Sequence, residues 1–292
     1  MPGSSRSEVR RRPIEDEDLP AVVDCLRRGF PTRRSAYWVR ALDRMARRPP
    51  IETMPRYGHL LETPAGIVGV LLVIAARRQG ATGAVLRCNL SSWCVDPPWR
   101  AAAPFLHAAA VRDSTVTYLN VSPAPHTLAG IEALKFERYS DGQFLFVPLL
   151  SPRRRDIRVL DFAEASPEAA LLPGDERALL ADHVALGCRA LIGLDAGAAH
   201  PFVFQRRATF HRLLPCQQLI YCRGLDELAR FAGAIGRHLA LRAWPLFLAD
   251  ANGPVPGLVG RYFAGRGPKY FKGPVRPALG DLAYTELVIL GP

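Results

Sequence analysis

The sequence is almost without lysine. Lysine occurs only at Lys135, Lys269 and Lys272, so the formal net charge of +11 comes from arginine. The longest apolar run, residues 67–76, is far too short to span a bilayer. The six cysteines show neither pairing nor the spacing of metal ligands. Because the N-terminus also has no apolar secretory stretch, we expect reduced thiols and a cytoplasmic protein.

Sequence motifs for several common chemistries are also missing. There is no Walker loop, EF-hand, zinc spacing, dinucleotide fingerprint or catalytic triad pattern, so no metal is expected. The excess of arginine is consistent with binding to an anionic partner. No basic motif interleaved with aromatic residues indicates RNA, so no specific nucleic acid is predicted. A general nucleic-acid binder stays an alternative, and its binding would weaken steeply with salt.

The most informative segment is residues 86–147, whose pattern is strand, turn, helix, strand, turn, helix, strand. The first turn ends in Arg100-Ala101-Ala102-Ala103, where a helix starts directly after an apolar strand. Such a helix start presents unpaired N–H groups and the positive end of its dipole. The segment therefore predicts a phosphate or pyrophosphate site.

Four residues place this segment in register with a known motif. Val95, Pro97, Arg100 and Phe136 match the pattern V-x-P-x-x-R-G-x-G-x-G/A, which is followed by a strand and a helix ending in L-G-F. The segment resembles the coenzyme A-binding core of the GCN5-related N-acetyltransferase superfamily. The order of elements upstream agrees, with a strand at 9–14, helices from Glu15 and at 35–46, and a hairpin of 57–63 and 67–75.

The sequence also departs from that motif. Ala101 and Ala103 replace the first two glycines, Phe105 replaces the third small residue, and Lys135 replaces the glycine before the aromatic residue. The tyrosine that the family often uses as general acid falls at Ile131. A fold that has lost its chemistry, and now only binds a ligand or partner, is therefore the alternative.

The resemblance implies an α/β fold with a mixed sheet flanked by helices, and an acyl-CoA-binding domain at residues 8–150. Acetyl-CoA or acyl-CoA would bind, as a substrate, along the strand that ends at Cys94 and Val95. Its pyrophosphate would meet the turn from Arg100 through Ala102 to Ala103, beside Phe105. The acyl group would pass directly to an amine or hydroxyl of a small-molecule or glycan acceptor. An acyl carrier protein is a further expected partner.

Three polar residues follow the next strand and are candidates for catalysis. Asn120 and Ser122 end the strand that, in this family, separates from its neighbour to form the acceptor cleft. His126 begins the following helix and is the only histidine near the expected reaction centre. Because its ordinary pKa is near neutrality, it could accept the proton of the acceptor.

Residues 151–292 repeat the order of predicted helices and strands in the first half, without similarity in the residues themselves. This pattern predicts either a second, degenerate acetyltransferase-like half or an unrelated α+β cap. Carboxylates at Asp226 and Glu227 would repel a pyrophosphate there, so acyl-CoA binding is assigned to the first half. Segment 265–274 is predicted to be a loop, which either holds an anionic or sugar-containing ligand or has no binding role. The predicted helices are 175–188 and 225–241, and the predicted strands are 190–194, 201–210, 217–222, 244–249 and 282–290.

Overall fold

A computed structural model of the chain describes residues 9–80, 83–152, 154–209, 214–240, 242 and 245–291. These residues divide into two compact units. Unit 1 contains the described residues up to Asn120, with 273–275 and 289–291. Unit 2 contains those of 121–272 and 276–288, so the boundary predicted at residue 150 lies within it.

The described part of unit 1 forms strands and helices in the predicted order. They are β1 (Arg10–Pro13), α1 (Leu19–Gly29), α2 (Ser35–Ala46), β2 (Gly58–Thr63), β3 (Gly66–Gly80), β4 (Gly83–Val95), α3 (Ala103–Ala110) and β5 (Thr117–Asn120). The strands lie in the order β1-β2-β3-β4-β5, with antiparallel pairing up to β4 and parallel pairing between β4 and β5.

Helix α1 shows why this sequence pattern folds as predicted. Its buried residues Val22, Val23, Cys25 and Leu26 recur at helical spacing and so form one apolar face. Acidic residues occupy the 3-10 turn Asp16–Asp18 directly before it, at the positive end of the helix dipole. The predicted mixed sheet flanked by helices is confirmed.

Unit 2 holds the remaining elements. They are α4 (Leu128–Ala133), β6 (Glu137–Phe146), β7 (Arg158–Asp161), α5 (Pro167–Ala170), α6 (Gly174–Ala185), β8 (Arg189–Asp195), β9 (Ala198–Thr209), β10 (Leu214–Tyr221), α7 (Leu225–Leu239), β11 (Phe247–Ala251) and β12 (Gly260–Lys272). The chain continues into α8 (Glu286–Ile289). The strands lie in the order β12-β6-β11-β10-β9-β8-β7, and only β10 and β11 pair in parallel.

Helix α7 covers one face of the unit 2 sheet, as its amphipathic spacing predicts. Leu228, Phe231, Ile235 and Leu239 are all buried in a core that includes residues of β9, β10 and β11. The ring of Phe231 lies 5.3 Å from that of Phe202, centroid to centroid. No helix among the described residues has the length and apolar character needed to cross a membrane.

The two units share one order of elements. Unit 1 runs β1, α1, α2, β2, β3, β4, α3, β5, and unit 2 runs β7, α5, α6, β8, β9, β10, α7, β11. The pairing recurs as well, since each unit has four antiparallel strands followed by a parallel fifth. The order of elements and the strand pairing therefore repeat, and the second, degenerate acetyltransferase-like half stays a prediction.

Two predictions about the second half are wrong. Most of the predicted loop 265–274 is strand, because Gly260–Lys272 forms β12 with a bulge between Ala264 and Lys269. Residues 282–290 are not a strand, because they form a turn and α8. Of the residues named in the other predicted elements, Phe210, Leu241 and Trp244 lie outside the described part of the chain.

Candidate functional site

The strands β4 and β5 of unit 1 form a fork. They pair in parallel over three positions, from Arg87 opposite Thr117 to Asn89 opposite Leu119. Strand β5 then ends at Asn120, whereas β4 continues to Val95. Within the described part of unit 1, no strand pairs with β4 on this side beyond Asn89. The fork therefore leaves an extended backbone edge of the kind that can pair with an extended ligand.

Asn89 stands where the two strands separate. Its side chain is buried, and its amide Nδ2 donates to the carbonyl oxygens of Leu119 at 3.2 Å and Leu90 at 2.9 Å. The bond to Leu119 ties β5 to β4 at the last paired position, and the bond to Leu90 lies within β4. Each acceptor is a backbone carbonyl. The side chain of Asn89 therefore fixes the point at which the two strands separate.

A bulge lies in β4 directly after the fork. Leu72 faces Ser91 and Val70 faces Cys94, so β4 carries one more residue than β3 over this interval. Ser92 takes a left-handed conformation with φ of 52°, and its hydroxyl lies 3.0 Å from that of Ser91. A bulge turns backbone groups out of the ladder, and a strained non-glycine residue is held only by surrounding structure. Such features concentrate at functional sites.

Cys94 and Val95 end β4, and both are half-buried. The Cys94 thiol points towards α1, where Sγ contacts the carbonyl oxygen of Cys25 at 3.9 Å. A hydrogen bond with the Cys25 side chain, followed by burial, raises the pKa of the Cys94 thiol. The thiol is thus protonated at neutral pH and is a poor nucleophile, so the backbone of Cys94 is the group that can act.

The turn after β4 differs from an open glycine loop. Residues Pro97–Ala102 form a 3-10 helix that leads into α3. Pro97, Pro98 and Pro104 have no N–H, while the N–H of Trp99 donates to Asp96 and that of Ala103 to Arg100. Between residues 97 and 104, at most three backbone N–H groups are thus left to bind a phosphate, those of Arg100, Ala101 and Ala102.

The charged side chains around this turn favour anion binding more than the backbone of the turn does. Arg100 is exposed in the turn. Asp96 would repel a phosphate, but Arg28 neutralises it through bonds of 3.2 Å to Oδ1 and 2.8 Å to Oδ2. Phe105, which stands where the motif has a small residue, has 67% of its surface exposed.

The three predicted catalytic residues fall in different units. Asn120 belongs to unit 1, and Ser122 and His126 belong to unit 2. His126 is exposed in the 3-10 turn Pro125–Thr127. The Ser122 hydroxyl donates to Oε1 of Glu286 at 2.5 Å. Sequence reasoning missed Glu286 as a partner of Ser122, since it lies 164 positions further on in a segment expected to be a strand.

Unit 2 contains the corresponding fork, but its edge is occupied. Strands β10 and β11 pair in parallel only at Gln217 opposite Phe247 and Gln218 opposite Leu248. Beyond this point, the N–H of Leu282 donates to the carbonyl of Ile220 at 2.8 Å, and the N–H of Cys222 donates to that of Gly280 at 2.9 Å. Residues 280–282 thus pair with the edge that the fork would otherwise leave open.

The helix that follows this second fork begins with negative charge. Asp226 and Glu227 lie in the first turn of α7, and Glu227 is hydrogen-bonded to His200. Arg223, just before the helix, is bonded to both carboxylate oxygens of Glu176, at 2.8 and 2.6 Å. Among the described residues, no group of His, Cys, Asp and Glu side chains is arranged to hold a metal ion.

No family model matches the chain, and no curated protein matches its sequence. Solved structures do match. A GCN5-related N-acetyltransferase from Anabaena variabilis has a TM-score of 0.57 at 10% identity, covering 90% of this chain and 72% of the other. A second such protein, from Kribbella flavida, has a TM-score of 0.56 at 12% identity, covering 92% and 72%. The chain has the GCN5-related N-acetyltransferase fold.

A third match includes both units of this fold. A putative acetyltransferase from Pyrococcus horikoshii has a TM-score of 0.56 at 11% identity, covering 94% of this chain and 93% of the other. The match therefore extends over nearly the whole length of both proteins. At this level of identity the likeness concerns the fold, and the roles of individual residues rest on this chain's own geometry.

Proposed function

We propose that the chain is an acyl-CoA-dependent acyltransferase whose thioester binds along β4 of unit 1. The observation that carries the proposal is the fork at Asn89, beyond which the edge of β4 has no strand partner within unit 1. The pantetheine arm of coenzyme A contains amide groups and can pair with such an edge as an added strand. The bulge at Ser92 lies in the same stretch of β4, and in this proposal it turns backbone groups towards the reacting carbonyl.

The reaction is a direct transfer. The amine or hydroxyl of the acceptor attacks the thioester carbonyl, the new bond to carbon forms, and the carbon–sulfur bond breaks. The acceptor's proton passes to a base, and the coenzyme leaves as a thiolate that takes up a proton. Backbone N–H groups near Cys94 stabilise the negative oxygen of the intermediate, and binding in the fork supplies proximity and orientation.

A binding experiment tests the donor site. Ala103→Glu places a carboxylate at the start of α3, where the pyrophosphate is expected. We expect acetyl-CoA or a longer acyl-CoA to raise the melting temperature of the wild-type protein, because a ligand that binds only the native state stabilises it. The variant should lose this shift, since like charges repel in the turn.

The matched control is Ala36→Glu, which puts the same residue on an exposed site in the first turn of α2 in the same unit. It should keep the full shift. If no acyl-CoA stabilises the wild-type protein at millimolar concentration, the proposed donor site is wrong. If Ala103→Glu and Ala36→Glu behave alike, the turn at Arg100 does not contact the donor.

The proton acceptor is a separate question with two candidates. If His126 is the base, His126→Ala should lower kcat about a hundredfold and leave donor affinity unchanged. The Ser122–Glu286 pair is the other candidate, because a carboxylate bonded to a hydroxyl can pull a proton through it. In that case Glu286→Gln should lower kcat about a hundredfold instead. Steady-state kinetics of His126→Ala and Glu286→Gln, measured side by side, decides between the two candidate bases.

A second candidate function is ligand binding without turnover. The prolines of the 97–104 segment favour it, since they remove backbone donors that a pyrophosphate would use. A protein of this kind would show the acyl-CoA-dependent stabilisation but no release of free thiol with any amine or hydroxyl acceptor. Measuring free coenzyme A in the same samples separates the two functions.

A further inference from the structure

A cleft of about 360 Å³ opens in unit 2, on the sheet face whose core α7 covers. Its lining includes Arg189, Phe204, Arg206 and Gln217. Arg189 stands directly opposite Phe204, and Arg206 directly opposite Gln217, in neighbouring strands. Directly opposed residues project from the same face of a sheet, so these four side chains converge. The volume is within the range of small-molecule sites.

Gln217 is the unusual member of this group. Only 1% of its surface is exposed, yet neither Oε1 nor Nε2 has a hydrogen-bond partner among the described residues. A buried amide without partners lowers stability, and such groups are rare in folded proteins. Because Gln217 lines the cleft, a ligand there could accept a hydrogen bond from Nε2 and donate one to Oε1.

The charge around the cleft is positive. Among the described lining residues, the one carboxylate belongs to Asp161, and it lies 3.9 Å from Nη1 of Arg189, 3.3 Å from Nε2 of His238 and 3.6 Å from Nη1 of Arg242. Asp161 is therefore balanced by its own neighbours, and Arg206 adds a further guanidinium. Guanidinium groups bind carboxylates in a planar, two-pronged geometry. The cleft thus favours a carboxylate ligand over a neutral or cationic one.

We propose that this cleft binds a small hydroxycarboxylate. The carboxylate groups would meet Arg189 and Arg206 and accept from Nε2 of Gln217, and the hydroxyl would donate to Oε1 of Gln217. All of these residues belong to unit 2. The proposal does not depend on acyl-CoA binding, so either can fail without the other.

The test uses two probes that differ by one hydroxyl group, L-malate and succinate, in calorimetric titrations of the full chain. We expect malate to bind and succinate to bind about tenfold more weakly, because succinate leaves Oε1 of Gln217 unpaired. Gln217→Met should remove this preference for malate. It should also raise the melting temperature of the ligand-free protein, because it replaces an unpaired buried amide with an apolar chain of similar size.

Gln218→Met is the matched control. Gln218 is equally buried, and its Oε1 also has no partner in the described part of the chain, but it stands opposite Gln205 on the other face of the sheet. This variant should keep the wild-type preference for malate. Arg206→Gln changes an exposed residue, so the protein should fold normally and bind both probes about tenfold more weakly.

Three outcomes would overturn the proposal: no binding of malate, equal binding of malate and succinate, or the same loss of preference in Gln218→Met as in Gln217→Met. If Gln217→Met does not fold, the Arg206→Gln titration decides. Unchanged malate binding in that variant contradicts the site.

Discussion

At the scale of single residues, unit 2 contains a buried ion pair that the sequence did not suggest. Nζ of Lys269 lies 3.0 Å from Oδ1 of Asp250, and the two side chains are only 3% and 2% exposed. Lys269 also donates to the carbonyl of Gly267 at 3.2 Å, and Gln143 donates to Asp250 at 3.4 Å. The pair therefore ties β12 to β11 beside the bulge of β12.

Breaking this pair should be costly. Lys269→Met leaves the Asp250 carboxylate buried without its cation, and we expect the free energy of unfolding to fall by about 3–5 kcal/mol. The double variant Lys269→Met with Asp250→Leu should recover much of that loss, because no unpaired charge remains. Urea unfolding measures both.

The surface pair of Arg47 and Asp43 provides the control. Its atoms lie 2.9 Å apart, but the side chains are 79% and 51% exposed. Arg47→Met should therefore change stability by less than about 1 kcal/mol. A similarly small loss for Lys269→Met would contradict the role assigned to the buried pair.

At the scale of elements, α7 packs directly against backbone. A Cβ added at Gly233 would lie 2.2 Å from the carbonyl oxygen of Pro152, and one added at Gly236 would lie 2.3 Å from the backbone nitrogen of Leu149. Both distances are far below contact distance. The two glycines thus let the helix approach the segment that follows β6.

This packing reverses the usual effect of alanine in a helix. Gly→Ala within a helix normally stabilises by about 0.5–1 kcal/mol. Gly236→Ala should instead destabilise by about 1–3 kcal/mol, because the backbone of 148–149 has to move. Gly130→Ala in α4 is the control, since nothing lies within 4 Å of the added methyl, and it should be neutral or stabilising. Thermal unfolding of both variants shows whether each substitution raises or lowers stability.

At the scale of the molecule, the same strand topology occurs in both units, but the two forks differ in whether another segment pairs with them. In both halves the parallel pair is followed by a bulge, and an amide side chain donates to the next carbonyl, from Asn89 to Leu90 and from Gln218 to Leu219. Among the described residues, 280–282 pair with the second fork, whereas no strand of unit 1 pairs with β4 beyond Asn89 on the side of the first fork. We therefore infer that acyl-CoA binding belongs to unit 1 alone.

This difference predicts the stoichiometry. Calorimetric titration with an acyl-CoA should give one bound molecule per chain, because the backbone groups of Ile220 and Cys222 are already bonded. A stoichiometry of two would show that residues 280–282 yield to the ligand and that both halves bind. The Ala103→Glu variant should bind none in the first case and one in the second.

The sequence alone determined the elements that have a strong local signal. Helices α1, α2 and α7 follow from apolar residues at helical spacing, and the hairpin of β2 and β3 follows from two apolar runs around a Pro-Ala-Gly turn. The order of these elements was enough for the resemblance to the acetyltransferase fold. The segment 265–274 was misread because its glycines and proline signal a turn, whereas its pairing with β6 is long-range.

What only the tertiary structure decided depends on contacts between residues far apart in the chain. No local pattern in the sequence indicates that Asn89 holds the fork, that residues 280–282 close the second one, or that Ser122 is bonded to Glu286. Each of these rests on a backbone or side-chain group supplied by a distant segment. Local propensity and periodicity describe what a segment prefers by itself, and they carry no information about which distant group satisfies its hydrogen bonds.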